Sequence, residues 1–205
     1  MKKLLSLLSV ALVSAAMLSA CGQKTPAAPA VAFENIDLTG ADYAHDFALT
    51  DNNGKPRTLA DFKGKVVLMF FGYTQCPDVC PTTMAELAGV MQQLGPQADQ
   101  VQVLFATIDP ARDTQVVLAQ YVPAFDKRFL GLRGDDAATA KVAKEFKVFY
   151  AKVEGKTPGS YTMDHTAGTY VFDRSGKLRL FLRNGQSAAP ITHDLKLLLA
   201  EAPRA

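Results

Sequence analysis

The chain carries two cysteines separated by three residues, in the sequence Cys76-Pro77-Asp78-Val79-Cys80-Pro81. Two thiols at this spacing can close a disulfide or chelate one soft metal ion, because both reactions need two sulfur atoms that approach each other. The only other cysteine, Cys21, ends an N-terminal signal sequence and is the expected site of lipid attachment. Any thiol chemistry of the mature protein is therefore expected at Cys76 and Cys80.

The prolines beside the cysteines indicate where the thiols lie. Each cysteine precedes a proline, whose ring disfavours the helical conformation in the residue before it. Pro81 suits the first turn of a helix, where a missing amide hydrogen is tolerated. We therefore predict that both thiols lie in the loop ahead of this helix, where the helix dipole lowers a thiol pKa. An inert structural disulfide is the alternative, although the three-residue spacing favours a metal.

A third ligand has to come from elsewhere, and the chain has three histidines. His45 precedes a predicted hairpin and His193 lies in the first turn of the last predicted helix, so both are expected at the surface. His165 precedes a predicted strand, at a junction expected to face the cysteine loop. Two thiolates with one imidazole are typical of a copper site, since sulfur suits Cu(I) and nitrogen helps to hold Cu(II). Zinc is the alternative metal, but it needs a fourth ligand that the sequence does not reveal.

Hydrophobic periodicity and turn residues predict the elements that position these side chains. In chain order they are a hairpin around Asn53-Gly54, a strand at 66–71, a helix at 81–94, a strand at 101–108, a helix at 113–122, a helix at 136–146, strands at 149–153, 169–172 and 178–182, and a helix at 191–200. This order predicts an α/β, thioredoxin-like fold with a central mixed sheet flanked by helices and an N-terminal β-hairpin.

Other polar residues are expected near the thiols. The carboxyl ends of strands in open α/β sheets border ligand sites, so the loop at 109–114 is expected beside the cysteine loop. Its Asp113 or Thr114 is predicted to cap the next helix. Tyr73 is expected in the site wall, whereas Asp78 and Asp164 are expected as exposed carboxylates or as hydrogen-bond acceptors for the ligands. Met84 and Met91 fall on the buried face of a helix and are not counted as ligands.

The N-terminus predicts export. Residues 1–20 combine two lysines with an apolar run and end in Leu18-Ser19-Ala20 before Cys21, which resembles a bacterial lipobox. We therefore expect a signal peptide at 1–20, a lipidated N-terminus and flexible tether at 21–40, and the folded copper-binding domain at 41–205. A transmembrane anchor is the alternative. Removing two lysines from 22 basic residues leaves 20 against 20 acidic residues, so the charge does not indicate nucleic-acid binding.

The motifs together resemble the SCO/SenC family. The resemblance rests on the segment Phe71-Gly72-Tyr73-Thr74-Gln75-Cys76-Pro77-Asp78-Val79-Cys80-Pro81, on Asp109-Pro110-Ala111-Arg112-Asp113-Thr114 and on Asp164-His165-Thr166. It extends from about residue 47 to 199 and thus covers the folded domain. Gln75 stands where many members carry histidine, and many members have a transmembrane anchor in place of a lipid.

This resemblance implies a function. Members of the family are thioredoxin-like and bind copper through two cysteines and a histidine, which correspond to Cys76, Cys80 and His165. It implies a metallochaperone that assists assembly of the dinuclear copper centre of cytochrome c oxidase, with oxidase subunit II or another exported copper protein as partner. The alternative is a thiol-disulfide oxidoreductase that reduces the cysteines of the target site, and a peroxide-reducing enzyme ranks last. The expected protein is a monomer, lipid-anchored to a bacterial membrane, with its domain facing the periplasm or the cell exterior.

Overall fold

A computed structural model describes residues 32–202 of the 205-residue chain. The strands are β1 (Ile36–Asp37), β2 (Leu49–Asp51), β3 (Pro56–Arg57), β4 (Val66–Gly72), β5 (Val101–Thr107), β6 (Leu130–Arg133), β7 (Tyr150–Glu154), β8 (Tyr161–His165), β9 (Gly168–Phe172) and β10 (Leu178–Arg183). The α-helices are α1 (Val79–Leu94), α2 (Gln115–Tyr121), α3 (Asp136–Glu145) and α4 (Ala188–Ala200). Short 3-10 helices occupy Leu59–Phe62, Gly95–Gln100 and Val122–Ala124.

Eight strands form one mixed sheet in the order β1-β10-β9-β4-β5-β6-β2-β3. The central strands β4, β5 and β6 are parallel, whereas β9 is antiparallel to β4 and β2 is antiparallel to β6. Strands β7 and β8 pair only with each other, as a separate two-stranded antiparallel sheet. We call this unit the histidine hairpin, because β8 ends at His165. The predicted α/β, thioredoxin-like fold is confirmed.

The two central strands are buried along their whole length, as continuous apolar runs predict for strands covered on both faces. Neighbouring residues of β4 point to opposite faces of the sheet. Phe70 packs against Phe105 of β5, with ring centroids 6.1 Å apart, while Phe71 packs edge-on against Phe146, at 5.1 Å. The core thus holds the end of β4, where the cysteine loop begins, on both sides of the sheet.

The N-terminal hairpin is confirmed, and the strands predicted at 169–172 and 178–182 pair as the closing β9–β10 hairpin. In the turn of the N-terminal hairpin, Gly54 has a positive φ of 82°, whereas Asn53 does not adopt a positive φ. Three strands were not predicted, and each carries a weak signal. β1 is two residues long and exposed, β6 contains Gly131, and β8 buries only Met163.

The folded domain includes residues that precede its predicted first residue, 41. Residues 21–40 were expected to form a tether, but Ile36 and Asp37 pair with β10 and Phe33 packs against the core. Asp194 of α4 fixes this segment by accepting hydrogen bonds from the backbone amides of Glu34 and Asn35. The expected signal peptide at 1–20 and Cys21 lie outside the described residues. Within residues 32–202, none of the helices combines the length and apolar character that crossing a bilayer requires.

Candidate metal centre

The two thiols lie where β4 passes into α1, and both are free. Cys76 is half-buried in the loop, whereas Cys80 is fully buried, at 0% exposure. The two residues are in contact, because the backbone amide of Cys80 donates a hydrogen bond to Sγ of Cys76 over 3.4 Å. The predicted approach of the two cysteines is thus observed, with one thiol facing outward and the other facing the core.

Cys80 does not lie in the loop as predicted. Helix α1 begins at Val79, so Cys80 is its second residue and Pro81 its third. Proline is tolerated there because the first amides of a helix have no acceptor within the helix. The expected lowering of the thiol pKa is also wrong for Cys80. Burial raises its pKa, and the neighbouring Cys76 adds to this effect, although a hydrogen bond from the Tyr73 backbone opposes it.

His165 ends strand β8, opposite Tyr150 of β7. Its Nδ1 lies 3.3 Å from the backbone carbonyl of Met163, and because a carbonyl only accepts hydrogen bonds, this contact places a proton on Nδ1. The other ring nitrogen, Nε2, is buried and has no hydrogen-bond partner of acceptable geometry. Burial lowers the pKa of His165, and hydrogen bonding to the backbone of Met163 and of Phe71 opposes that shift. Burial therefore favours the neutral imidazole, the form in which one ring nitrogen keeps a lone pair that can bind a metal.

One cavity of about 380 Å³ joins the cysteine loop to the histidine hairpin. Both Cys76 and His165 line this cavity, together with Tyr73 and the exposed Asp78 and Asp164. The predictions that His165 faces the cysteine loop and that Tyr73 forms part of the wall agree with this arrangement. The ring of Tyr73 meets that of His165 edge-on, with centroids 6.0 Å apart.

Cys76 and His165 line the same cavity and Cys80 contacts Cys76, but the three predicted ligands do not form a closed cage. Within residues 32–202, no three His, Cys, Asp or Glu side chains are grouped closely enough to hold a metal ion as they are placed. The donor types nevertheless fit copper, because Cys76, which accepts a hydrogen bond from the Cys80 amide, lines the same cavity as His165, whose Nε2 has no hydrogen-bond partner. The orphaned Nε2 is the observation that favours a metal here, since a buried nitrogen without a partner is unfavourable in the metal-free protein.

The loop after β5 holds the cysteine loop in place, as its predicted proximity implies. Asp113, fully buried, accepts hydrogen bonds from the backbone amide of Thr74 at 3.0 Å and from the hydroxyl of Thr74 at 2.5 Å. The hydroxyl of Thr107 donates to the same carboxylate. Burial raises the pKa of Asp113, and these donors oppose the shift. The helix cap is Thr114, whose side chain accepts from the amide of Val117.

Arg112 has a role that the sequence analysis did not assign. Its Nε pairs with the buried carboxylate of Asp109, and its guanidinium stacks on the ring of Tyr161 with the carbon 3.5 Å from the centroid. Its Nη1 donates to the side-chain oxygen of Gln75 and to the backbone carbonyl of Tyr161. The sequence offered one signal for this role, an arginine two residues after the Asp-Pro that follows a predicted strand. It could not reveal the partners, because Gln75 and Tyr161 lie far from Arg112 in the chain.

The remaining candidates lie apart from the cavity. His45 is exposed and contacts Asp42 and Glu145, and His193 contacts Asp194 and Glu34, as expected for surface histidines. Both methionines on the buried face of α1, Met84 and Met91, belong to the core. None of these four residues lines the cavity of Cys76 and His165.

Fold and site together define a thioredoxin-like protein with a dithiol at the start of its first long helix and a histidine facing it across a cavity. The sequence model of the SCO1/SenC family matches residues 37–200. The chain therefore belongs to the SCO1/SenC family.

Individual relatives agree with this assignment. An SCO2-like protein of Rickettsia felis is 37% identical over 155 residues, covering 75% of this chain and 76% of the relative. The structure of Bradyrhizobium japonicum ScoI with copper bound is 44% identical, with a TM-score of 0.70, covering 75% of this chain and 98% of that chain. The solution structure of apo Sco1 from Thermus thermophilus is 41% identical, with a TM-score of 0.72, covering 82% and 98%.

Proposed function

We propose that this protein binds copper through Cys76, Cys80 and His165, and that it assists assembly of the dinuclear copper centre of cytochrome c oxidase. One observation carries the proposal: His165 lines the cavity that Cys76 also lines, and its buried Nε2 has no hydrogen-bond partner. The copper-bound structure of the Bradyrhizobium relative supports the choice of metal. Thiolates suit Cu(I), and the imidazole extends the site to Cu(II).

Each ligand contributes differently. The half-buried Cys76 is the accessible thiol, so it is the first sulfur that a copper donor or acceptor meets. Cys80 must lose its proton inside the protein, which ties copper binding to proton release. The hydrogen bond from His165 Nδ1 to Met163 fixes the tautomer, leaving Nε2 as the ligand atom. Transfer to a target proceeds by exchange of these ligands for those of the acceptor, proposed to be oxidase subunit II or another exported copper protein.

A copper titration of the reduced protein tests the three-ligand site. His165→Ala is expected to lower the Cu(II) affinity by about a hundredfold, because loss of one ligand leaves sulfur alone to hold the oxidised ion. His45→Ala is the matched control, since His45 is exposed and lies outside the cavity. Equal Cu(II) affinity in wild type and His165→Ala would show that the histidine is not a ligand.

A second function, thiol-disulfide exchange, is favoured by the pairing of a half-buried cysteine with a buried one, whose backbone amide donates a hydrogen bond to Sγ of the first. The Cys76 thiolate attacks a target disulfide, forming a mixed disulfide and releasing one target thiolate. Cys80 then attacks the Cys76 sulfur, which closes the Cys76–Cys80 disulfide and releases the second target thiol. An exported dithiol reductant must regenerate the protein after each turnover.

Trapping distinguishes this reaction from copper transfer. Cys80→Ser is expected to accumulate a mixed disulfide with an oxidised target peptide, because the resolving thiol is missing, whereas Cys76→Ser should form none. If neither variant forms a covalent adduct while wild type still binds copper, the protein is a copper carrier without reductase activity.

The manner of attachment is also part of the proposal. We propose a signal peptide at 1–20, a lipid on Cys21, a tether between Cys21 and the folded domain, and a monomeric domain facing the periplasm or cell exterior. Mass spectrometry of the mature N-terminus measures this directly. A diacylated N-terminal Cys21 is the expected product, and a retained Met1 would contradict it.

A further inference from the structure

Arg112 connects three segments that are distant in the chain: the cysteine loop, the loop after β5 and the histidine hairpin. We propose that Arg112 is a positioning residue that sets the separation between His165 and Cys76. This inference rests on the proposed copper site, because its consequence is the geometry of the ligands. Arg112 itself is not a ligand, since it has no lone pair to donate at neutral pH.

Contacts with Asp109 and Tyr161 hold the guanidinium of Arg112 in one orientation. Asp109, 4% exposed, accepts from Nε of Arg112 with one carboxylate oxygen and from the Tyr161 hydroxyl with the other, the latter over 3.0 Å. The planar guanidinium also lies on the Tyr161 ring. A guanidinium that pairs with a carboxylate and stacks on a ring at the same time has little rotational freedom, so Arg112 acts as a rigid link between segments.

From this position the guanidinium contacts two residues of the segment that leads to Cys76. Its Nη1 donates over 3.2 Å to Gln75, the residue before Cys76. Its central carbon lies 5.6 Å from the ring of Tyr73, which in turn meets the His165 ring edge-on across the cavity wall. Arg112, Tyr73 and His165 therefore form a continuous chain of contacts, and a displaced guanidinium would leave the Tyr73 ring, and with it His165, less well defined.

The histidine hairpin needs such a link. It has two strands and no pairing with the main sheet, and isolated two-stranded hairpins are marginal in water. Arg112 binds its far end through the carbonyl of Tyr161 at 2.9 Å. The Nη2 group is buried without an acceptor, an unfavourable feature that stability alone would not select. Arg112 is thus positioned to support the proposed copper site although its Nη2 group makes no hydrogen bond.

A double-mutant cycle tests the inference on the full chain in detergent, with Cys21→Ser in every variant so that only the site thiols remain. Arg112→Met is expected to lower Cu(II) affinity by about tenfold, as is typical when a group that orients a ligand is lost. It should also alter the Cu(II) absorption and electron paramagnetic resonance spectra. In the His165→Ala background the same change should have no further effect on Cu(II) affinity, because Arg112 acts through that histidine.

Two further variants separate positioning from charge and from general stability. Arg112→Lys keeps the charge but lacks the fork, so it is expected to behave as Arg112→Met; full recovery by lysine would overturn the inference. Arg57→Met is the matched control, because Arg57 also pairs with a buried carboxylate, Asp51, and faces an aromatic ring, Phe62, away from the cavity. It is expected to lower thermal stability without changing the copper spectra.

A measurement on the metal-free protein provides an independent readout. In Arg112→Met, amide hydrogen exchange is expected to accelerate at 161–165 while the central strands stay protected. If wild type binds no copper, the proposed function fails whatever the exchange shows. If wild type binds copper through His165 but Arg112→Met has the same affinity and spectra, only the positioning role is overturned.

Discussion

The carboxylate of Asp113 holds Thr74 by two hydrogen bonds, to its amide and to its hydroxyl. Thr74 begins the loop that leads to Cys76, whereas Asp113 belongs to the loop after the neighbouring strand β5. The first residues of the cysteine loop are therefore fixed by a buried acceptor on the adjacent strand end, and not only by the helix that follows.

Removing this acceptor should destabilise the fold more than removing a helix cap. Asp113→Ala leaves the amide and hydroxyl of Thr74 and the hydroxyl of Thr107 without their acceptor, so we expect a loss of about 3 kcal/mol in the free energy of unfolding. Thr114→Ala, which removes the cap of α2, is expected to lose about 1 kcal/mol. Urea denaturation at pH 7 measures both values. Equal losses would mean that Asp113 contributes no more than a cap.

Substituting alanine for glycine should change the free energy of unfolding in opposite directions at two positions, Gly72 and Gly89. A Cβ on Gly72 would lie 2.9 Å from Cys80 Sγ and 2.9 Å from Phe70. We expect Gly72→Ala to lower the free energy of unfolding by about 2 kcal/mol, because neither the core ring nor the buried sulfur has room to move. The matched change Gly89→Ala lies inside α1, with the nearest atom 4.0 Å away, and should raise stability by about 0.5 kcal/mol.

Thermal and urea unfolding of the two glycine variants give the comparison directly. The Gly72 variant should also expose Cys80 to thiol reagents, since the added methyl group displaces the sulfur. A Gly72→Ala protein as stable as Gly89→Ala would show that the contact at Cys80 is not tight.

The two thiols should react at different rates in the native, metal-free protein. Cys76 is half-buried, whereas Cys80 is fully buried and its pKa is raised by burial. Because the thiolate is the reactive form, iodoacetamide at pH 8 should modify Cys80 at least about tenfold more slowly than Cys76. Peptide mapping by mass spectrometry follows each site, and unfolding in urea is the control that should equalise the rates. Preferential labelling of Cys80 in the native protein would contradict the structure.

The stability that Asp194 gives by holding the backbone of Glu34 and Asn35 against α4 should depend on pH. Burial by itself would raise its pKa, but hydrogen bonds from the Glu34 backbone, the Asn35 side chain and His193 outweigh burial and hold the pKa of Asp194 below its ordinary value. A carboxyl whose folded pKa is lowered stabilises the protein above the unfolded pKa, near about 3.9, and the contribution is lost as the pH falls through the folded pKa.

Asp194→Asn tests this dependence. At pH 7 the variant is expected to lose about 2 kcal/mol in the free energy of unfolding, as hydrogen bonds to a charged group are replaced by weaker ones. The gap to wild type should narrow below a pH of about 4. Asp42→Asn is the control, because that carboxylate is fully exposed, at 100%. A gap that is independent of pH would show that the charge of Asp194 does not contribute.

Much of the fold was predictable because its strongest signals are local. The apolar runs of β4 and β5, the apolar spacing of α1 and the turn before β10 each lie within a few residues, and each was confirmed. The histidine hairpin was not predicted as a unit. Its second strand buries one residue, Met163, and pairing with β7 across a loop leaves no periodic pattern.

The sequence by itself determined which chemistry is available: two thiols at fixed spacing and one histidine singled out from three, which named Cys76, Cys80 and His165 as the candidate ligands. Only the tertiary structure decided the state of these groups, because burial and hydrogen bonding depend on neighbours that are distant in the chain. Packing against the end of β4 raises the pKa of Cys80, and the Met163 carbonyl leaves His165 Nε2 unpaired. The contacts of Asp113 and Arg112 across the sheet edge bring the ligand segments together.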